Sequence, residues 1–276
     1  MSSPQKPKDG QIETTGHVWD DDLQEFNNPL PRWWLWTFYL TIIWGIGYTI
    51  AYPAWPLVTQ ATPGLLGYST RAEVAEEIAR MQAANAPIEQ RLIDADLTAI
   101  AAEPDLHQYA LNAGAAVFRT YCAQCHGAGA AGVQASGYPN LLDDDWLWGG
   151  DIAAIHTTVS HGIRNDIDPD ARFSEMPAFA DVLSEEEIAQ TAEYVLSLSG
   201  QEHDAALAAA GETLFLDNCA SCHAEAREGM REIGAPRLND AIWLYGGTRE
   251  GIVAQITAPR NGVMPPWNRR LSEAQI

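Results

Sequence analysis

The chain has 276 residues, of which 46% are apolar, and a formal net charge of −21 at pH 7. That length allows about two domains plus appendages. The acidic balance excludes nucleic acid as a partner, because phosphate binding requires clustered Lys and Arg; it suits encounter with a basic protein and equally keeps a domain soluble.

Residues 1–32 are polar, with Asp20, Asp21, Asp22 and Glu25 in a short run. No basic region followed by a small-residue cleavage site precedes the next segment, so a cleaved signal peptide is not expected. Trp33 to Tyr52 then supplies twenty uncharged residues, enough for one helix to cross a hydrocarbon core of about 30 Å. Trp33, Trp34 and Trp36 at one end and Tyr48, Tyr52 and Trp55 at the other match the aromatic belts of membrane interfaces. Arg32, with Lys6 and Lys8 farther off, barely orients this span. Residues 33–53 are therefore a predicted transmembrane helix that serves as an uncleaved anchor.

Residues 54–105 read as a linker with short helices. Its start is rich in Pro and Gly (Pro56, Pro63, Gly64, Gly67). Thr70-Arg71-Ala72-Glu73 has the form of a capping box and opens a helix predicted to end before Pro87. A second short helix is predicted at about 88–102.

All four cysteines lie in two units, Cys122-Ala123-Gln124-Cys125-His126 and Cys219-Ala220-Ser221-Cys222-His223. Cys-x-x-Cys-His is the attachment signal of a c-type haem. The two thiols add to the haem vinyl groups and the adjacent His binds the iron. Paired zinc-binding Cys-x-x-Cys units are usually about 15–20 residues apart, whereas 93 residues separate Cys125 from Cys219. A thioredoxin-like pair would need a βαβ context, and none surrounds either motif. Two covalently bound haem c groups are expected. Because such haem is attached outside the bacterial cytoplasm, everything after Tyr52 is expected on the periplasmic side and the N-terminus on the cytoplasmic side.

The motifs sit inside a longer repeat. At an offset of 97, Gly114 falls on Gly211, Phe118 on Phe215, and Trp146-Leu147-Trp148-Gly149-Gly150 on Trp243-Leu244-Tyr245-Gly246-Gly247. Met176-Pro177 then answers Met264-Pro265 at an offset of 88, so the first copy carries nine more residues before its Met. Duplicated domains account for this. Helices are predicted at 107–121 and 205–218, each with Gly and an aromatic four residues on. Others are predicted near 150–161 and 248–257, with a further one opened by Ser184 and its capping partner Glu187. The fold class is mainly α, one N-terminal transmembrane helix followed by two tandem class I cytochrome c domains at 106–201 and 202–276.

Each iron needs a sixth ligand, commonly Met or His. After His223 the candidates are Met230, too near the proximal ligand to reach the far face, and Met264, in a Pro-flanked loop forty-one residues on. Met264 is the expected ligand of the second haem. In the first domain Met176 holds the matching place, with His156 and His161 as competitors. Met/His ligation fills both axial positions and raises the haem potential, so no catalytic centre is expected on this chain. The Asp166, Asp168, Asp170 series lacks the Gly and distal Glu of a calcium loop and reads as a solvated loop.

The segment Asp22-Leu23-Gln24-Glu25-Phe26-Asn27-Asn28-Pro29-Leu30-Pro31-Arg32-Trp33-Trp34, followed by one span ending in Tyr52-Pro53 and two haem domains, resembles the dihaem cytochrome c subunit (CcoP or FixP type, subunit III) of cbb3-type cytochrome c oxidases. The resemblance implies an electron-transfer subunit of a proton-pumping terminal oxidase in the bacterial inner membrane. Electrons would pass from a soluble or membrane-tethered cytochrome c to the monohaem subunit, then to the haem b/haem b3–copper centre of the catalytic subunit, in aerobic or microaerobic respiration. The family's cofactor residues map onto Cys122, Cys125, His126, Met176, Cys219, Cys222, His223 and Met264. The alternatives are a dihaem cytochrome c peroxidase, which needs one haem without a strong distal ligand, and the cytochrome subunit of a periplasmic dehydrogenase. The first copy continues seventeen residues beyond Leu183 and the second five beyond Leu271, so the natural protein is expected to be longer.

Overall fold

The computed structural model describes residues 13–276; residues 1–12, with Lys6 and Lys8, lie outside that description. The chain is mainly helical and divides into two compact units, Met1–Ala84 and Asn85–Ile276.

In the first unit, part of the polar N-terminal segment forms an antiparallel hairpin, β1 (Thr14–Trp19) and β2 (Leu23–Phe26). Its turn is the acidic run: Asp20 and Asp21 both take positive φ, which Asp tolerates better than most residues. Helix α1 (Arg32–Ala51) follows. Among the described residues it is the one helix long and apolar enough to cross a membrane, and twenty residues of helix span about 30 Å. None of its residues is buried within the chain. Rings four apart stack along it, Trp34 on Phe38 and Trp44 on Tyr48. Past its end the chain turns back at Gly64 (φ +70°), where a side chain would meet the backbone of Ala51 and Tyr52. The amides of Leu65 and Leu66 then donate to the carbonyls of Ile50 and Ala51, each at 3.0 Å. These are among the acceptors a helix end leaves open.

Helix α2 (Thr70–Asp94) runs through Pro87, where two helices were predicted. A proline inside a helix removes one hydrogen bond and costs ~3 kcal/mol. Ala83, Ala84 and Ala86, with long unbranched neighbours, favour the helix strongly enough to carry it. Its cap lies one residue earlier than predicted. Ser69 Oγ accepts from the Ala72 amide at 3.3 Å, and Glu73 accepts from the Tyr68 hydroxyl instead. The remainder of the predicted second helix is a 3-10 turn at Ile100–Ala102.

The second unit holds the repeat. Helix α3 (Pro104–Val117) passes through a π-helical turn (Phe118–Cys122) into α4 (Ala123–His126), and α5 (Ile152–His161) follows. Helix α6 (Glu185–Leu198) opens on the predicted capping box of Ser184 and Glu187. The second copy repeats the plan with α7 (Ala205–Asn218), α8 (Ala220–His223) and α9 (Arg249–Thr257), and a 3-10 turn at Glu273–Gln275.

The packing crosses the sequence boundary at 201/202. Only residues 199–204 join α6 to α7, and so short a connection makes two helices neighbours. Gly211 of α7 lies against the backbone of Gln190 and Thr191 of α6, and the Tyr194 and Phe215 rings meet at 5.4 Å. Phe179, Leu183, Ile188, Ala192 and Val195 from the end of the first copy share one core with Phe215, Cys219, Ile252 and Ile256 of the second. Conversely, residues after Met264 lie on the first copy. The Trp267 amide donates to the carbonyl of Val159 at 3.2 Å, and its ring stands 5.5 Å from that of Tyr121. Each copy is closed by the other copy's last segment.

Candidate haem-binding sites

The two attachment motifs are held alike. In the first, Cys122 is half-buried, Cys125 exposed, and His126 Nδ1 lies 3.2 Å from the carbonyl oxygen of Pro139. In the second, Cys219 is buried, Cys222 exposed, and His223 Nδ1 lies 2.9 Å from the carbonyl oxygen of Pro236. A backbone acceptor at Nδ1 selects the tautomer whose Nε2 lone pair is free for a metal. Burial lowers the His223 pKa and so keeps the imidazole neutral, the form that ligates. Burial also pushes the Cys219 thiol up to about 11, and the Cys122 thiol upward as well. Thiols held protonated are poor thiolate ligands for zinc and poor redox nucleophiles, whereas thioether attachment leaves no charge to bury.

The loops after the two histidines match in backbone where they differ in sequence. Gly127 and Ala224 both take positive φ (80° and 62°), as do Ala130 and Arg227 (61° and 65°). The Gly132 amide returns to the His126 carbonyl at 2.9 Å and the Gly229 amide to the His223 carbonyl at 3.1 Å. Met230 pairs with Ala235 in the loop that presents Pro236 to His223.

The two Met-Pro loops have exchanged hosts. Met176 is half-buried against the core that contains Cys219 and Phe215. Met264 forms an antiparallel bridge with Ile163, two backbone hydrogen bonds of 2.9 Å, directly after α5 of the first copy. The linear repeat pairs Met176 with His126 and Met264 with His223, whereas the packing sets the Met264 loop on the first copy and Met176 against the core of the second. The cause is the six-residue α6–α7 connection, a signal present in the sequence. His161 Nδ1 faces Asp168, 3.2 Å from its Oδ2. Asp168 itself, expected in a solvated loop, is buried and accepts from Asn268 Nδ2 at 2.6 Å and from the Asp170 amide at 2.9 Å. Those bonds, led by Asn268, hold its carboxyl below the usual range.

The copies also interlock by reciprocal ring contacts. The Trp148 ring stands where a side chain at Gly234 would be, and the Tyr245 ring does the same over Gly137. Arg172 lies over Trp148 at 5.5 Å and Arg260 over Tyr245 at 4.4 Å. Trp148 Nε1 and Arg172 Nε are buried without a hydrogen-bond partner among the described residues. A buried acceptor is wanted there, and a haem propionate is one such group. The Cys/Cys/His/Met donor set and these two orphaned donors fit haem c.

Comparison with known proteins agrees along the whole chain. The family model described as the N-terminal domain of cytochrome oxidase-cbb3, FixP, matches residues 11–59. The model of cytochrome c oxidase, cbb3-type, subunit III, matches residues 110–195 and 206–276. The cbb3-type cytochrome c oxidase subunit CcoP of Cereibacter sphaeroides is 63% identical over 275 residues, covering 99% of this chain and 94% of the relative. The CcoP subunit of Rhodobacter capsulatus is 53% identical, covering 96% and 92%. The FixP subunit of Sinorhizobium medicae is 52% identical, covering 96% and 91%.

Proposed function

The chain belongs to the family of cbb3-type cytochrome c oxidase subunit III, an electron-transfer cytochrome, and from that premise we propose the following arrangement. Two haem c groups are bound, one through Cys122 and Cys125 with His126, the other through Cys219 and Cys222 with His223. Met264 closes the first site and Met176 the second. The observation that carries this pairing is the exchange of closing segments, seen in the Met264–Ile163 bridge and in Met176 against the Cys219 core. Haem c, when bound, would supply reversible one-electron chemistry. The chain's own part is to attach it, to orient His126 and His223 through the carbonyls of Pro139 and Pro236, and to exclude water with Phe179, Trp267 and their neighbours.

Helix α1 anchors the chain in the inner membrane, with the N-terminus cytoplasmic and both cytochrome domains periplasmic. Electrons enter from a soluble or tethered cytochrome c, which the charge of −21 favours if the donor is basic. They leave to the monohaem subunit and the catalytic haem b/b3–copper subunit, where oxygen reduction and proton pumping take place. Because the tether joins the first copy, that copy lies nearer the membrane partners. The match along the whole chain favours this reading over the peroxidase and dehydrogenase alternatives.

Extraction from native membranes in mild detergent tests it. Copurifying haem b and copper, with oxygen uptake driven by reduced cytochrome c, is the expected result. Haem c alone, with a high-spin band and peroxide turnover, would overturn it. The pairing is tested in a chain with Cys122 and Cys125 replaced by Ala: the remaining haem should lose its methionine–iron charge-transfer band in Met176→Ala and keep it in Met264→Ala.

A further inference from the structure

The nine extra residues of the first copy fall between the end of α5 and Met176, in the segment 162–175. Three side chains of that segment, Arg164, Asn165 and Asp168, and the backbone of Ile163 and Ile167 bond to the loop that carries Met264. Ile163 pairs with Met264 through both backbone bonds. Asn165 Nδ2 donates to the carbonyls of His161 at 2.9 Å and Met264 at 3.2 Å. Arg164 Nε donates to the Gly262 carbonyl at 2.7 Å, and Arg269 donates to the Ile167 carbonyl at 2.8 Å. Buried Asp168 receives Asn268 Nδ2 at 2.6 Å. The Met264 loop is thus gripped before, at and after the sulfur-bearing residue.

The second copy has no counterpart, because only residues 259–263 separate the position matching His161 from Met264. The Met176 loop has the Phe179 amide on the Ile256 carbonyl, the counterpart of Trp267 on Val159, and an Arg164 bond to the Ser174 carbonyl at 3.0 Å; beyond these it rests on apolar packing. We propose that segment 162–175 is a polar clasp for the exchanged Met264 loop, with Asp168 and Asn165 as positioning residues for the sixth ligand of the first haem. This rests on the ligand pairing proposed above. Methionine is a neutral, weak ligand, and residues that orient a ligand through hydrogen bonds govern how firmly it stays on the metal. Two haems with the same Cys/Cys/His/Met donors are thereby held by different means, one by a polar clasp and one by an apolar core.

The test uses the dihaem chain within the purified oxidase, in Asp168→Ala, Asn268→Ala, Met264→Ala and Met176→Ala forms. Asp168→Ala should weaken the same methionine–iron charge-transfer band that Met264→Ala abolishes, and leave the band that Met176→Ala abolishes intact. It should lower the midpoint potential of that haem. Displacement of the methionine by carbon monoxide in the reduced form should become about tenfold to a hundredfold easier, the usual effect of removing an outer-shell partner. Hydrogen exchange at the Ile163 and Met264 amides should quicken. If Asp168→Ala fails to accumulate, Asn268→Ala removes one donor from a surface position and is read the same way. Faster exchange with band, potential and carbon monoxide binding all unchanged would overturn the clasp's role while leaving the ligand standing. Both bands surviving in Met264→Ala would overturn the ligand pairing and the clasp with it.

Discussion

The backbone amide of Phe179 donates to the carbonyl of Ile256 at 3.1 Å, and the amide of Trp267 donates to the carbonyl of Val159 at 3.2 Å. Phe179 matches Trp267 and Val159 matches Ile256 in the repeat, so the same bond is made twice, each time between copies. Phe179 and Trp267 are both buried. Phe179→Ala should cost about 3–5 kcal/mol, the range for deleting a buried aromatic. It should also perturb the haem attached at Cys219 and Cys222 although Phe179 belongs to the first copy. Thermal melting followed at each haem's own band checks both parts.

A Cβ at Gly211 of α7 would meet the Gln190 carbonyl and, at 3.0 Å, the Thr191 nitrogen. Gly211→Ala should therefore destabilise by about 1–3 kcal/mol or more, since backbone must move. The denaturant midpoint of the variant, compared with that of the parent chain, decides this.

Ala224 takes φ 62° and ψ 154°, a region open essentially to glycine, where the first copy has Gly127 at φ 80°. Such a residue stores about 1–3 kcal/mol of strain. Ala224→Gly should therefore raise the melting temperature, and Gly127→Ala should lower it. Only the Gly132 carbonyl, at 3.7 Å, lies near a Cβ at 127, so the loss there is a matter of backbone conformation. Equal melting temperatures for Ala224→Gly and the parent would refute the argument.

Glu193 on α6 is buried, pairs with Arg249 of α9 and accepts the Asp204 amide at the start of α7 at 2.7 Å. One carboxylate thus joins three helices from both copies. Arg249, first, and the Asp204 amide hold its carboxyl below the usual range, while burial opposes them. A depressed folded pKa means that the pair's stabilisation is present above the ordinary Glu value, near 4.3, and is lost as pH falls through the lower folded value. Glu193→Gln should reduce stability at neutral pH and flatten the acid limb of the stability–pH curve. An unchanged acid limb would show that other carboxylates govern it.

The attachment motifs, the anchor helix, the Ser184 capping box and the Gly211 crossing were all legible, because each depends on residues close in sequence or on a pattern of fixed period. The N-terminal hairpin was not legible because its turn, Asp20-Asp21, reads as a mere charge run, and α2 outlasts Pro87 on the strength of its alanines. Asp168 looked solvated because its partner, Asn268, lies a hundred residues away.

The sequence by itself determined the chemistry: two Cys-x-x-Cys-His units, two Met-Pro loops, one membrane-length helix and a duplicated helical plan. Only the tertiary structure set the Met264 loop on the first copy and the Met176 loop on the core of the second. The two copies present nearly the same receptor, the carbonyl of Val159 or of Ile256, to nearly the same closing segment, led by Trp267 or Phe179. Local sequence therefore does not distinguish self from exchanged docking. The short α6–α7 connection does: it holds α6 against α7, and with α6 committed to the second copy, the residues after Met264 are left to complete the first.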